Sequence, residues 1–145
     1  MDLPTEHDVL IIGGGIVGLT LARELGRRGV GKIAVLEKHS AGGREASSAA
    51  AGMLAPQAEA DRADLFFRFC RESRDAYPRF ARQLFEETGV DVDLDRTGTL
   101  YLAFDEPDAL ELEKRYGWQK AANLEVEKLS AREVLEVEPN ISPKV

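Results

Sequence analysis

The stretch from Asp8 to Glu37 constrains the fold more than any other, because three glycines at fixed spacing stand between two apolar runs. Val9-Leu10-Ile11-Ile12 has the unbroken apolar character of a parallel strand buried on both faces. Gly13-Gly14-Gly15-Ile16-Val17-Gly18 follows, a complete G-x-G-x-x-G. Beyond it Val17, Leu21 and Leu25 recur every fourth residue with Gly18 and Ala22 beside them, while Arg23, Glu24, Arg27 and Arg28 fall elsewhere. That spacing predicts a helix with one apolar stripe pressed against a sheet. Gly29 and Gly31 end it, and Ile33-Ala34-Val35-Leu36 predicts a second buried strand that closes on Glu37. The expected fold class is α/β, built on one Rossmann-like βαβ unit.

Each position in that unit has a physical task. Gly13 permits the tight exit from the strand, Gly15 lets a pyrophosphate meet bare backbone, and Gly18 lets the helix pack close to the strand. The free N–H groups at the start of the helix then face the diphosphate. Glu37 lies nineteen positions after Gly18. A carboxylate there can accept hydrogen bonds from both hydroxyls of an adenosine ribose, and it would repel a 2′-phosphate, which disfavours NADP. The bland reading is a glycine-rich turn with a solvated Glu37. Strand, turn, helix, strand and acid in this order favour the dinucleotide reading over it.

The 145 residues are enough for one globular domain but short for an enzyme that must hold a dinucleotide and enclose a substrate, so a truncated chain is expected. The net charge of −7 speaks against nucleic acid or an anionic membrane as partner, since both ask for a basic face. Between Asp105 and Glu138 ten acidic residues stand against five basic ones, which reads as solvated surface. Cys70 is the single cysteine, which excludes an intrachain disulfide, and its place beside Phe69 reads as a small buried hydrophobe. The acidic leader Met1-Asp2-Leu3-Pro4-Thr5-Glu6 lacks a basic n-region and an apolar core, and no apolar run is long enough to span a bilayer. A soluble cytoplasmic protein is the expectation, with homo-oligomerisation left open.

After Glu37 the chain runs Lys38-His39-Ser40-Ala41-Gly42-Gly43-Arg44-Glu45-Ala46-Ser47-Ser48-Ala49-Ala50-Ala51-Gly52-Met53 and on to Pro56. Small residues of this kind let backbone lie against a flat ligand. By composition alone a linker is the better reading. The order Gly-Gly-Gly-Ile-Val-Gly, Leu-Glu-Lys, Gly-Gly-Arg and Ser-Ser-Ala-Ala-Ala-Gly-Met-Leu-Ala-Pro-Gln-Ala-Glu, however, resembles the FAD-binding start of glycine oxidases, within the D-amino-acid-oxidase-like flavoenzymes. The first motif fits several flavin or NAD families, whereas the Ser-Ser-Ala-Ala-Ala-Gly-Met block is much more particular. The resemblance continues through Phe66-Phe67, Gly89-Val90-Asp91, Gly98-Thr99-Leu100 and Glu138-Pro139.

The resemblance implies FAD as cofactor, with Ile16 and Val17 meeting the diphosphate through their backbone and Glu37 and Lys38 flanking the adenosine ribose. It implies that Ala46, Ser47 and Ser48 lie along the diphosphate and ribityl chain, while Ala51, Gly52 and Met53 approach the isoalloxazine ring. Around Arg44-Glu45-Ala46-Ser47 the chain carries one residue more than the family pattern, which bears most on Ala46. The implied activity is oxidation of glycine or another small amino acid by O2, giving an oxo acid, ammonia and hydrogen peroxide, in thiazole formation for thiamine. On this reading residues 1–88 are the amino-terminal part of an FAD-binding domain and residues 89–145 part of a substrate domain. A non-catalytic dinucleotide-binding fragment and an NAD-dependent dehydrogenase domain are the alternatives.

From Asp61 to Thr88 apolar residues including Leu65, Phe66, Phe69, Tyr77, Phe80, Leu84 and Phe85 recur at helical spacing and are expected to form core, with a kink or break near Tyr77 because of Pro78. Val90, Val92 and Leu94 alternate with Asp91, Asp93 and Asp95 and, with 99–104, predict two antiparallel strands, which in the resembling family open the substrate domain. A helix is expected from Asp105 or Glu106 to about Gly117, followed by Trp118 as packing, with a short strand over 124–126. Ser130-Ala131-Arg132-Glu133 reads as a capping box opening a last helix, and 140–145 as loop. His7 and His39 lack a partner at metal-ligand spacing, no G-x-S-x-G surrounds Ser47 or Ser48, and no acid–base constellation is legible. That suits a flavoenzyme, in which the cofactor carries the chemistry.

Overall fold

The computed structural model describes residues 6–142; the expectations for the acidic leader 1–5 and for the last three residues of the terminal loop lie outside them. The chain forms two compact units, one ending at Met53 and the other beginning at Leu54.

In the first unit, β1 (Val9–Ile12) and β2 (Ile33–Leu36) pair in parallel, with Val9 opposite Ile33 and Ile12 opposite Leu36, and α1 (Ile16–Arg27) connects them. The register is pinned at its start by Asp8, whose carboxylate accepts the Lys32 amide at 2.7 Å. The helix ends in a Schellman arrangement: the Val30 amide donates to Leu25 O, the Gly29 amide to Gly26 O, and Gly29 takes φ 70°, a conformation that glycine adopts without steric cost. The βαβ unit is therefore as the glycine spacing predicts. Burial is different. Ile11 is buried, but Leu10, Ile12 and Leu36 are exposed, so the strands are covered on one face by α1 and not on both. The row of α1 nearest the sheet is likewise displaced from the expected one. Gly18 lies against Ile11 and Ala22 and Leu25 are half-buried, while Val17 and Leu21 are exposed. Two short helices follow β2 and its loop, α2 (Ala46–Ala49) in this unit and α3 (Pro56–Glu59) in the next.

The second unit is helical. Its long element is α4 (Leu65–Thr88), capped at its start by Asp64, which accepts the Phe67 amide, and at its end by Gly89 in the left-handed region at φ 70°. The helix starts four residues later than expected and passes through Pro78 as one element, so of the expected kink or break near Tyr77 the break does not occur. The expected core stripe is also corrected. Leu65, Phe66, Phe69 and Phe85 are exposed, Cys70 is half-buried, and the buried ring is Phe67 at 3% exposure. Phe67 meets Trp118 edge to face, with ring centroids 5.5 Å apart, which makes Trp118 a packing residue.

Trp118 lies inside α5 (Glu106–Ala121), which is capped by Asp105 and runs through Gly117 without stopping there. Gln57 links α3, α4 and α5: it accepts from Arg74 at 2.9 Å through its side chain and from Gln119 at 3.2 Å through its carbonyl. Arg115 donates to the carbonyls of Ala58 and Ala60 at the end of α3. Leu124 and Val134 complete the buried apolar set. The capping box at α6 (Ala131–Val137) is present in both directions, with the Ser130 amide 2.7 Å from Glu133 Oε2.

Residues 90–104 and 124–126 contain no strand among the described residues, which overturns the predicted antiparallel pair and short strand. The cause is local. Asp91 accepts the Asp93 amide at 2.9 Å, Asp95 accepts the Thr97 amide at 2.8 Å, and Asp93 is drawn to φ 53°. The same aspartates that gave the alternating pattern take the amides that a ladder would use. A two-stranded hairpin is also marginal without a third strand or a covering layer.

Candidate functional site

The glycine turn leaves β1 at Gly13, which has φ 104°, and α1 begins directly after Gly15 as its cap. The turn is tight because Gly18 has no side chain: a Cβ there would stand 2.0 Å from Gly13 O. No side chain of the turn itself caps α1. The cap comes from elsewhere in the unit, where Ser47 Oγ accepts the Ile16 amide at 2.9 Å across thirty-one positions of sequence. On the opposite side Glu37, at the end of β2, reaches back to the turn. Its Oε2 accepts the Gly14 amide at 2.7 Å and its Oε1 accepts the His39 amide at 2.9 Å. These bonds hold the Glu37 carboxyl below the usual carboxylate range, the His39 amide contributing most and the Gly14 amide next.

The loop between Glu37 and Ser47 folds onto the same turn. The Gly43 amide donates to Gly14 O at 2.8 Å, and a Cβ on Gly42 would come within 2.6 Å of that oxygen. Lys38 and His39 both meet Glu45, the His39 ring nitrogen at 3.2 Å from its carboxylate. The result is a cavity of about 300 Å³ walled by turn, strand end and loop. That is the low end of small-molecule sites, with room for part of a dinucleotide.

Of the residues singled out in the sequence, Gly13, Gly15, Glu37, Lys38, Ala46 and Ser47 stand in the wall of this cavity. Ile16 reaches it through the amide that Ser47 accepts, and Gly18 lies beneath the turn. Val17, exposed on α1, and Ser48, whose hydroxyl donates to Glu45 O, are outside the lining. So are Ala51, Gly52 and Met53, the last exposed at the end of the unit. Gly14, His39, Gly43, Arg44 and Glu45 were not singled out. For Gly14 a signal existed in the third consecutive glycine, since a Cβ there would meet Glu37 Oε2 at 3.0 Å. For Glu45 there was none, because its partners are fixed by the path of a loop.

A group that fits here is one that offers oxygen acceptors to the turn. The Gly14 and Ile16 amides both point at oxygens, and both oxygens belong to side chains that can rotate away. A diphosphate offers the same acceptors with more charge.

Residues 8–145 match the family described as DAO, FAD dependent oxidoreductase. The chain is 42% identical over 135 residues to the glycine oxidase of Bacillus licheniformis, covering 93% of this chain and 35% of that protein. It is 39% identical over 106 residues to the bifunctional protein ThiO/ThiG of Synechocystis sp., covering 72% of this chain and 16% of that one. The crystal structure of glycine oxidase from Geobacillus kaustophilus superposes with a TM-score of 0.90 at 35% identity, covering 96% of this chain and 37% of that chain. The chain thus spans about a third of the length of the glycine oxidases it matches. With the glycine turn, the acid after β2 and a match over nearly its whole length, the chain belongs to the glycine oxidase-like part of the DAO family of FAD-dependent oxidoreductases.

Proposed function

We propose that this chain grips the adenosine diphosphate end of FAD, in a protein that oxidises the C–N bond of glycine or another small amino acid. The products are an oxo acid, ammonia and hydrogen peroxide, with O2 as oxidant, and the reaction serves thiazole formation for thiamine. The observation that carries the binding part is the pair of turn amides, Gly14 and Ile16, each donating to a displaceable side-chain oxygen at one cavity. The similarity to glycine oxidases and to a ThiO/ThiG protein supports the chemistry.

When bound, FAD supplies the hydride acceptor and the route for electrons to O2. The chain's own residues position it. The backbone of Ile16 and Val17 would hold the diphosphate at the positive end of α1, and Glu37, with Lys38 beside it, would accept from the ribose hydroxyls. Ala46, Ser47 and Ser48 would serve the diphosphate and ribityl chain, and Ala51, Gly52 and Met53 the isoalloxazine ring. Gly13, Gly15 and Gly18 keep side chains out of the path.

The test is a visible absorption spectrum of the purified protein after adding FAD, with NAD in parallel. A flavin spectrum that persists through gel filtration is expected, with no retention of NAD. A protein that stays colourless overturns the proposal. Peroxide release from glycine is expected of the whole enzyme and not of residues 1–145 alone.

A further inference from the structure

Glu45 connects the two walls of the cavity. Its carbonyl accepts the amides of Ser48 and Ala49 at 3.0 and 3.2 Å, which starts α2, the turn that carries Ser47. Its carboxylate meets the Lys38 ammonium and, at 3.2 Å, the His39 ring, on the two residues that leave β2 directly after Glu37. The contacts close a circuit. Glu37 holds the Gly14 and His39 amides, His39 and Lys38 hold Glu45, and the turn that Glu45 begins places Ser47 on the Ile16 amide.

We propose that Glu45 is a positioning residue for the adenosine diphosphate end of FAD, acting through Lys38, His39 and the Ser47 turn. The inference rests on the flavin reading above. Two opposing effects make it decidable. By charge alone, a carboxylate in the wall of a site for an anion weakens binding, so its removal would tighten it. As the tie between the walls, it strengthens binding by holding the Lys38 ammonium and the backbone turn that carries Ser47 beside the cavity, so its removal loosens it. The pairs are solvent-exposed, which sets the expected effect at a few-fold and not more.

The experiment is a fluorescence titration of FAD, with ADP as a second probe, on Glu45→Gln, Lys38→Met and the double variant, and amide hydrogen exchange on the free proteins. Glu45→Gln is expected to raise Kd for FAD and for ADP about three- to fivefold and to speed exchange at Ser48 and Ala49, whose amides its carbonyl accepts. Lys38→Met, which removes the same ion pair from the other side, is expected to weaken binding too, and the double variant to lose less than the sum. Unchanged or tighter FAD binding by Glu45→Gln overturns the inference while the flavin reading stands. If the unsubstituted protein binds neither FAD nor ADP, the flavin reading fails and takes this inference with it.

Discussion

Glu37 Oε2 and the Gly14 amide lie 2.7 Å apart across twenty-three positions of sequence, so the acid at the end of β2 is fastened to the glycine turn. The bond is local in space and electrostatic in kind, and its strength depends on the carboxylate being charged. Because the folded-state pKa is lowered, chiefly by the His39 amide and then by Gly14, its contribution is present above the unfolded value and is lost as pH falls through the folded one. Stability of the first unit is therefore expected to decline on acidification from the ordinary carboxylate range downward. Glu37→Gln should remove that part of the slope. Thermal melts of both proteins across that range check it; parallel curves would contradict the assignment.

Gly18 and Gly26 both lie in α1 and separate two effects of glycine. Replacing either with alanine gains up to about 1 kcal/mol of helix propensity. At Gly26 nothing lies within 4 Å of the added Cβ, so the gain is kept. At Gly18 the Cβ would stand 2.0 Å from Gly13 O, a backbone atom that cannot swing aside. Overpacking of this kind costs about 1–3 kcal/mol or more and wins. Denaturant unfolding is expected to show Gly26→Ala equal to or above the unsubstituted protein and Gly18→Ala about 2 kcal/mol below it.

How much of this was legible in sequence follows from where each partner lies. The βαβ unit and the Ser130 capping box depend on residues close in the chain, and both are read directly from spacing. The role of Ser47 as the cap of α1 depends on a loop that returns across thirty-one positions, which no local pattern encodes. The apparent strand alternation at Val90–Asp95 misled because aspartates at alternate positions serve equally well as the polar face of a strand and as acceptors in tight turns. In α4 the apolar residues are so dense that spacing could not choose between the Phe66–Phe69 side and Phe67; only packing against Trp118 does.

That choice gives a third prediction. Phe67→Ala removes the one deeply buried ring of α4 and is expected to cost about 3–5 kcal/mol. Phe66→Ala and Phe69→Ala, at exposed positions of the same helix, are expected to change stability by about 0.5 kcal/mol or less. Unfolding followed by Trp118 fluorescence distinguishes them, and equal losses at all three positions would contradict the packing described for α4.

The glycine turn is the proposed seat of the flavin's diphosphate, and a titration of FAD against Gly15→Val tests that most directly. A side chain at Gly15 would point toward Ser47 Oγ, 3.2 Å from its Cβ, in the wall of the cavity. The prediction is saturable binding by the unsubstituted protein and a loss of at least about tenfold in the variant, about 1.4 kcal/mol, with its helical circular dichroism retained. A folded Gly15→Val protein that binds FAD as tightly as the unsubstituted one would contradict the account.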